Sequence, residues 1–412
     1  MAFNRRYDIR WETLDIIVRG KSAIDASTGF QLKSLDDVER FLLGYGFDLT
    51  NPIEKAELFG NFHEALNFVR KNFLSPENPD GLKLEVPRKI VELVDVRELF
   101  LMASLSAPGQ NNDPSGKLIR DFACAVLKVI HTIAHIDKDL RTHYFAECQK
   151  QILDRFYRVL HRDADGKLFL GEGDDRIELV AFESKPKKSR DSTLLKLLHK
   201  PENVAEDIFD RVGLRFVTHT PLDTIRVIKF LKDHMILMPP NIKPSRSRNS
   251  LIDLDRFEGC WREALGRWES REWTDEQAEQ FLATGAVYPE QDPDNPHSSK
   301  FYRAIQFTSR QLIKFRNPLH DEIRELKAHV KTMSGDHEST AARTLMDRIE
   351  RIDSKHVPRE FRFFYPFEVQ LMDRVSAEEN ERGRSAHSEY KKAQVQTALK
   401  RVMGALVDFG RA

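Results

Sequence analysis

The sequence carries no excess of charge of either sign. Lys and Arg together number 65, and so do Asp and Glu, for a formal net charge of zero. A protein that holds nucleic acid by bulk electrostatics is usually basic, so any polyanion-binding surface here has to be local. Cysteine is scarce. Cys124, Cys148 and Cys260 lie far apart and form no C-x-x-C pair, which argues against a disulfide framework or a thiolate zinc site and fits a reducing compartment. No apolar run approaches the roughly 18 residues of a membrane span. The first residues, Met1 to Arg6, lead into no apolar signal-peptide core, so a cytoplasmic protein without a membrane partner is the expectation. A glycine-rich P-loop and a Ser–His–Asp signature are also missing.

What is present is an ordinary globular composition. The chain has 412 residues, 40% apolar and 32% charged, enough for two or three domains and a sizeable core. Residues 1–175 read as mainly helical. Ser34 can cap a helix with Asp37 three residues on, and Asn51-Pro52 can open the next. Ala107–Gly116 reads as a loop. From Lys117 to about Asp137, Leu118, Phe122, Ala125, Val129 and Ile133 share a helical face. A further helix runs from about Phe145 to Leu160. Asp163-Ala164-Asp165-Gly166 begins like a calcium loop, but Lys167, Leu168 and Phe169 do not continue one, so a turn is expected.

From 176 strands and helices alternate. Arg176–Phe182 is strand-like, Ser192–His199 helical, Val212–Thr218 a strand, and Thr220-Pro221 opens a helix with Ile225, Ile228 and Leu231. Residues 234–300 read as irregular. Tyr302–Thr308 is strand-like, and 319–353 reads as charged helix with a break at Ser334-Gly335-Asp336. Phe361–Met372 is strand-like with Pro366 inside it, and the tail from Ala386 is helical. The expected fold is therefore α+β: an N-terminal helical domain over 1–175, then a mixed-sheet domain over 176–392 with helices packed on it. Insertions fall at about 234–300 and 319–356, and a C-terminal helix spans 393–412.

Four blocks hold candidate chemistry. The first is basic: Lys185, Lys187, Lys188, Arg190, Lys196 and Lys200 stand against one acid, Asp191. Ser192, Lys196 and Lys200 recur every four residues and so share a helical face. Ammonium groups on one face suit a triphosphate, although a solvated helix face has the same composition. The second is Asp210-Arg211-Val212-Gly213-Leu214-Arg215. An aspartate at the mouth of an apolar strand can hold a hard cation, and Gly213 leaves room for close approach. The third is Lys300-Phe301-Tyr302-Arg303-Ala304-Ile305-Gln306, where a tyrosine beside cations can stack a purine. The fourth is Phe367-Glu368-Val369-Gln370-Leu371. Alternation buries Phe367, Val369 and Leu371 and puts Glu368 and Gln370 on the opposite face. A carboxylate fixed on a strand can ligate Mg²⁺ or take a proton from a hydroxyl.

In this order the blocks resemble the synthetase domain of the RelA/SpoT family. That family carries R-x-K-x3-S-x3-K, D-x-x-[GA]-x-R, G-Y-x-S-[LI]-H, E-[VI]-Q-[IL]-R-T and A-A-H-x-x-Y-K in sequence. Lys188, Ser192 and Lys196 match the first motif, Asp210, Gly213 and Arg215 the second, and Tyr302 the third. Glu368 and Gln370 match the fourth, and Ala386, His387, Tyr390 and Lys391 the fifth. The resemblance covers about half the chain. It implies a nucleotidyltransferase-like fold and an ATP-dependent pyrophosphokinase that acts on GDP or GTP, as in (p)ppGpp synthesis. Lys188, Ser192, Lys196 and Arg215 would hold ATP, with Gln370 and His387 also in the nucleotide site. Asp210 and Glu368 would bind Mg²⁺, Glu368 would activate the acceptor 3′-hydroxyl, and Tyr302 would stack its guanine.

The chain departs from the pattern at Pro186, Phe301, Gln306, Met372 and Asp373, where the family has arginine, glycine, histidine, arginine and threonine. Lost cations imply altered substrate choice or lost catalysis. Two alternatives stay open: pyrophosphorylation of an RNA 3′ end, suggested by Arg246, Arg248 and the long insertions, and a non-catalytic nucleotide-binding or interaction module. His131, His135, Asp137 and Asp139 form an H-x3-H-x-D-x-D pattern. Histidines four apart on a helix can share a metal, but a helix end with satisfied histidines is the reading adopted.

Overall fold

The computed structural model describes residues 16–25, 31–75, 77–104, 113–185, 189–200, 211–289, 302–333, 344, 347–349, 351–352, 358–382, 387–407 and 409. Its first half is a helical layer. Helix α1 (Leu35–Tyr45) opens with the expected capping box, Ser34 and Asp37 each accepting from the other's backbone N–H. It stops at Gly46, whose φ of 105° suits a residue without a Cβ. Helix α2 (Pro52–Phe73) starts at the Asn51 cap with proline in its first turn. Helices α3 (Val96–Met102) and α4 (Pro114–Asp137) are capped by Asp95 and Asp113. The apolar stripe of α4, Phe122, Ala125, Val126, Val129 and Ile133, is fully buried against Phe62, Val69 and Leu99.

The second half is a seven-stranded mixed sheet. Helix α5 (Phe145–Tyr157) precedes strands β1 (Leu160–Arg162), β2 (Leu168–Leu170) and β3 (Ile177–Ser184). The turn between β1 and β2 is the Asp163–Gly166 segment. Its Asp163 carboxylate accepts from the backbone N–H of Asp165 and Lys167, and Gly166 takes a φ of 80°. After α6 (Arg190–Leu198) come β4 (Val212–Thr218), α7 (Pro221–Asp233) and the two-residue β5 (Arg248–Asn249). Then follow α8 (Leu254–Glu269), α9 (Asp275–Gly285), the long strands β6 (Ile305–Arg316) and β7 (Glu360–Asp373) with α10 (Pro318–Met333) between them, and finally α11 (Arg374–Arg382) and α12 (His387–Met403). The strand order is β1-β2-β3-β4-β7-β6-β5. β4 and β7 run parallel and the other neighbours antiparallel.

The segment at 234–300 is less irregular than the sequence suggests, because α8 and α9 form a helical hairpin. Thr274 and Gln277 make a capping box at the start of α9. The helices meet where a Cβ on Gly285 would lie 2.7 Å from the Cys260 side chain. Apolar residues sit on both faces of α8: Ala264 is buried, while Leu254, Trp261 and Trp268 are about half exposed. That distribution blurs the one-sided stripe by which an amphipathic helix is recognised. The break at Ser334-Gly335-Asp336 lies outside the described residues.

The two cores do not divide at 175/176, where the sequence texture changes. Phe145, Ile152 and Phe156 of α5 pack with Val212, Leu214 and Phe216 of β4 and Phe367, Val369 and Leu371 of β7 in the sheet core. Conversely, Leu194, Leu197 and Leu198 of α6 and Ala398, Leu399 and Val402 of α12 lie in the helical core with α4. The chain therefore passes twice back into the helical layer. One face of the sheet is covered by α5 and α7, and its other face carries the polar residues described next.

Candidate active site around Glu368

Strand register arranges this face in rows. In the first row Lys185, whose backbone N–H donates to Gly213 O at 2.8 Å, is followed by Gly213, Glu368 and Thr308. In the second row stand Glu183, Arg215, Gln370, Gln306 and, on the edge strand, Arg248. Beyond these, Val217, Met372 and Ala304 form a small apolar cluster with Ala181, Tyr302 and Ala377. Alternation along β4 and β7 is what brings chemistry to this face, since Val212, Leu214, Phe216, Phe367, Val369 and Leu371 fill the core on the other.

Glu368 is the centre of the arrangement. It is only 7% exposed, so its charge needs partners. Its Oε2 accepts from Lys185 Nζ at 2.9 Å and Gln370 Nε2 at 3.1 Å, and its Oε1 accepts from Gln306 Nε2 at 2.6 Å. Gln370 Nε2 also donates to Gln306 Oε1 at 3.2 Å. Lys185 reaches the carboxylate by lying across Gly213, where a Cβ would be 2.7 Å from Lys185 Cδ. Glycine serves there by allowing this close approach and not by its φ.

Two buried polar atoms of the second row have no hydrogen-bond partner among the described residues: Gln370 Oε1 and Arg215 Nε. Arg215 Nη1 lies 3.3 Å from Glu183 Oε2 and 4.0 Å from Glu381 Oε1. Tyr302 packs against the apolar cluster. Burial above all pushes its hydroxyl up to about 12, with Glu368 adding to the rise and Arg215 opposing it, so the phenol is neutral at physiological pH.

The structure thus brings together Glu368, Gln370, Arg215 and Tyr302. Lys188 and Asp210 lie outside the described residues, and His387 opens α12 with its side chain outside them as well. Ser192 and Lys196 lie on α6, half-buried. Ser189 caps α6, accepting from Ser192 N at 3.2 Å. Arg190 turns to the helical layer: its Nη1 and Nη2 reach the Asp137 carboxylate at 2.6 and 2.8 Å, and it also holds Glu64. It is therefore a tether and not a phosphate ligand in this arrangement. Lys185 and Gln306 are the site residues that motif matching undervalues. Lys185 follows the end of β3 directly, and Gln306 shows its role only once β6 is registered against β7.

The discounted histidine pattern is also accounted for. Tyr45 Oη lies 2.6 Å from His131 Nδ1, and the His131 and His135 rings are 4.4 Å apart. Burial, with His135 nearby, lowers the His131 pKa to about 4. Asp137 binds Arg190, and Asp139 binds Arg211 at 2.6 Å. Among the described residues no group of three or more His, Cys, Asp or Glu could hold a metal ion, and no helix is long and apolar enough to cross a membrane. No protein-family model, curated protein or solved structure matches the chain.

Proposed function

We propose that the chain is a nucleotide pyrophosphokinase of RelA/SpoT-like, nucleotidyltransferase-like type, with ATP as donor and the ribose 3′-hydroxyl of GDP or GTP as acceptor. The observation that carries this reading is Glu368. It is a buried carboxylate at the middle of a polar sheet face, flanked by Lys185 and Arg215, with Tyr302 packed in the apolar cluster beyond the second row. Phosphoryl chemistry asks the protein for positioning and for cations against developing charge. The acceptor 3′-oxygen attacks the β-phosphorus of ATP. The bond from that phosphorus to the oxygen bridging the α-phosphate breaks, AMP leaves with that oxygen, and the hydroxyl proton passes to Glu368. Lys185 and Arg215 offset charge on the transferred group, and Tyr302 supplies a face for the base.

The residues present fit Mg²⁺. That ion is commonly held by one or two carboxylates together with substrate phosphates, and Gln370 Oε1 beside Glu368, without a hydrogen-bond partner among the described residues, is a further oxygen donor. Glu368, with Asp210 as the second carboxylate of the proposal, would hold it; when bound it would neutralise phosphate charge and polarise the acceptor oxygen.

A second reading is favoured by one observation. Both Glu368 oxygens are already engaged, by Gln306 and by Lys185 with Gln370, as they would be in a non-catalytic nucleotide-binding module. Incubation with γ-labelled ATP, Mg²⁺ and GDP or GTP separates the two. A labelled guanosine product that disappears in Glu368→Gln supports the kinase. Absence of product from the wild-type chain, with a nucleotide-dependent rise in melting temperature, establishes the binding module instead.

A further inference from the structure

The site face does not end at Glu368. Beyond the start of β4, β6 and β7 continue as a ribbon of two strands among the described residues. The pairs Arg310↔Pro366, Leu312↔Phe364, Lys314↔Arg362 and Arg316↔Glu360 carry on the alternation from Thr308↔Glu368. They therefore present their side chains on the same face as Glu368. The opposite face of the ribbon is occupied: Tyr365 and Ile313 are buried in the sheet core. The site-side face is open, with Arg310, Lys314, Arg316 and Arg362 exposed, Leu312 at 41% and Phe364 at 49%.

Stability does not explain this face. Lys314 stands directly across from Arg362, and like charges directly opposite in an antiparallel pair are destabilising. Leu312 and Phe364 leave apolar surface in water. Among the described residues, Glu360 lies 2.7 Å from Arg362 and close to Lys314, and Asp321 lies 2.6 Å from Arg316 and 3.8 Å from Arg324, so the four ribbon cations outnumber these two acids. The Arg310 guanidinium lies 5.9 Å from the Phe364 ring centroid, a cation stacked near a half-open ring. In a chain of zero net charge, a strip of cations around an open aromatic is a local polyanion surface. Phosphates suit the cations, and a flat base suits the ring. That combination is how single strands are gripped without sequence readout.

We propose that the β6–β7 ribbon is a track for a single-stranded polynucleotide whose 3′ end lies at Glu368. Phe364 is four residues from Glu368 on the same strand face, about 13 Å away, so a base a few nucleotides inward can stack while the terminal ribose reaches the carboxylate. Grip by the ribbon stands on these residues alone. The placement of the terminus rests on the reading of Glu368 as the residue that receives the acceptor hydroxyl.

The test is fluorescence anisotropy of the full chain with a labelled single-stranded RNA 12-mer, the same DNA sequence, and a 12-residue polyglutamate peptide, across a salt series. Bound oligonucleotide is expected, with an affinity that falls as salt rises. Replacing Arg310, Lys314 and Arg362 together by Ala should weaken binding at least 30-fold and reduce the log–log salt slope by about 2, since each single-strand phosphate contributes about 0.7. Phe364→Ala should weaken it about ten-fold with the slope unchanged. These side chains are exposed, and an unchanged melting temperature confirms folding. Binding that survives the triple substitution, or polyglutamate bound as tightly and indifferent to Phe364→Ala, overturns the track. For the terminus, 4-thiouridine at the RNA 3′ end should cross-link within residues 304–310, and cross-linking there from the 5′ end instead overturns the polarity. Ribbon-dependent RNA binding in a chain that transfers nothing from ATP would retain the track and reject the kinase. Transfer to GDP without oligonucleotide binding would do the reverse.

Discussion

Burying a carboxylate among amides and one ammonium costs desolvation, and the donors around Glu368 offset it. Gln306 is the donor to Oε1 at 2.6 Å. Gln306→Leu keeps the bulk but removes the donor, leaving a buried oxygen without its hydrogen bond, and is expected to destabilise the fold by about 1–3 kcal/mol. Urea denaturation measures it, and an unchanged midpoint would show that solvent already reaches Oε1. Gly213→Ala tests the other oxygen. Its Cβ would sit 2.7 Å from Lys185 Cδ, and because a lysine stem can move, the expected result is displacement of Lys185 and not unfolding. Gly213→Ala should then reproduce Lys185→Met, with transfer lowered at least ten-fold in each, about 1.4 kcal/mol or more of transition-state stabilisation, and with the same fall in stability, because each leaves the buried Glu368 charge without its ammonium. Different effects of the two substitutions on transfer would sink this account of the glycine. At this scale the sequence was informative where alternation decides: Glu368 and Gln370 on one face, Phe367, Val369 and Leu371 on the other. It was uninformative where register decides. Gln306 looked like a lost histidine until its pairing with Gln370 made it a clamp on Glu368.

Elements were legible when their signals were local. Ser34, Asn51 and Thr220 cap helices as expected because a cap needs only the next few residues. Pro366 suggested an interruption in a strand, yet β7 runs through it. β4 begins at Val212 opposite Phe367, so among the described residues Pro366 has no strand neighbour on that side and a missing N–H costs no ladder bond. Helix α4 carries its own consequence. His131 has a folded pKa of about 4 against 6.5 when free, because burial disfavours its charged form. Between those values the unfolded chain binds more protons, so the contribution of His131 is complete above pH 6.5 and is lost as pH falls towards 4. The loss should be about 2 kcal/mol at pH 5 and about 3 kcal/mol by pH 4. Compared with wild type, His131→Gln should show a smaller drop in stability between pH 7 and pH 5 by denaturant unfolding. Parallel curves for the two would remove His131 as the cause.

At the scale of the molecule, the sequence suggests two domains joined near 175/176, and burial shows the chain crossing between two cores, with α5 in the sheet core and α6 and α12 in the helical one. Arg401 of α12 is the clearest link. Its guanidinium lies 2.6 Å from Asp25 and donates to Leu198 O at 2.7 Å and Ser22 Oγ at 2.8 Å, so the end of α6, the end of α12 and the N-terminal segment share one side chain. Around it, Leu194, Leu197, Leu198, Leu399 and Val402 are at most 4% exposed. Such side chains are worth roughly 1.5–3 kcal/mol each when fully buried, so five of them are worth roughly 10 kcal/mol. That is comparable with the roughly 5–15 kcal/mol net stability of a folded protein. A fragment of residues 176–412 would keep the α6–α12 contact but lose α2 and α4 from this core and is expected not to fold, although it contains Glu368 and every strand from β3 to β7. The whole chain should accordingly unfold in one calorimetric transition, with the van't Hoff enthalpy equal to the calorimetric one. Two resolved transitions, or a soluble and cooperatively melting 176–412 fragment, would mean that the helical layer supports the sheet less than its shared core implies, and that the site face is held by the sheet alone.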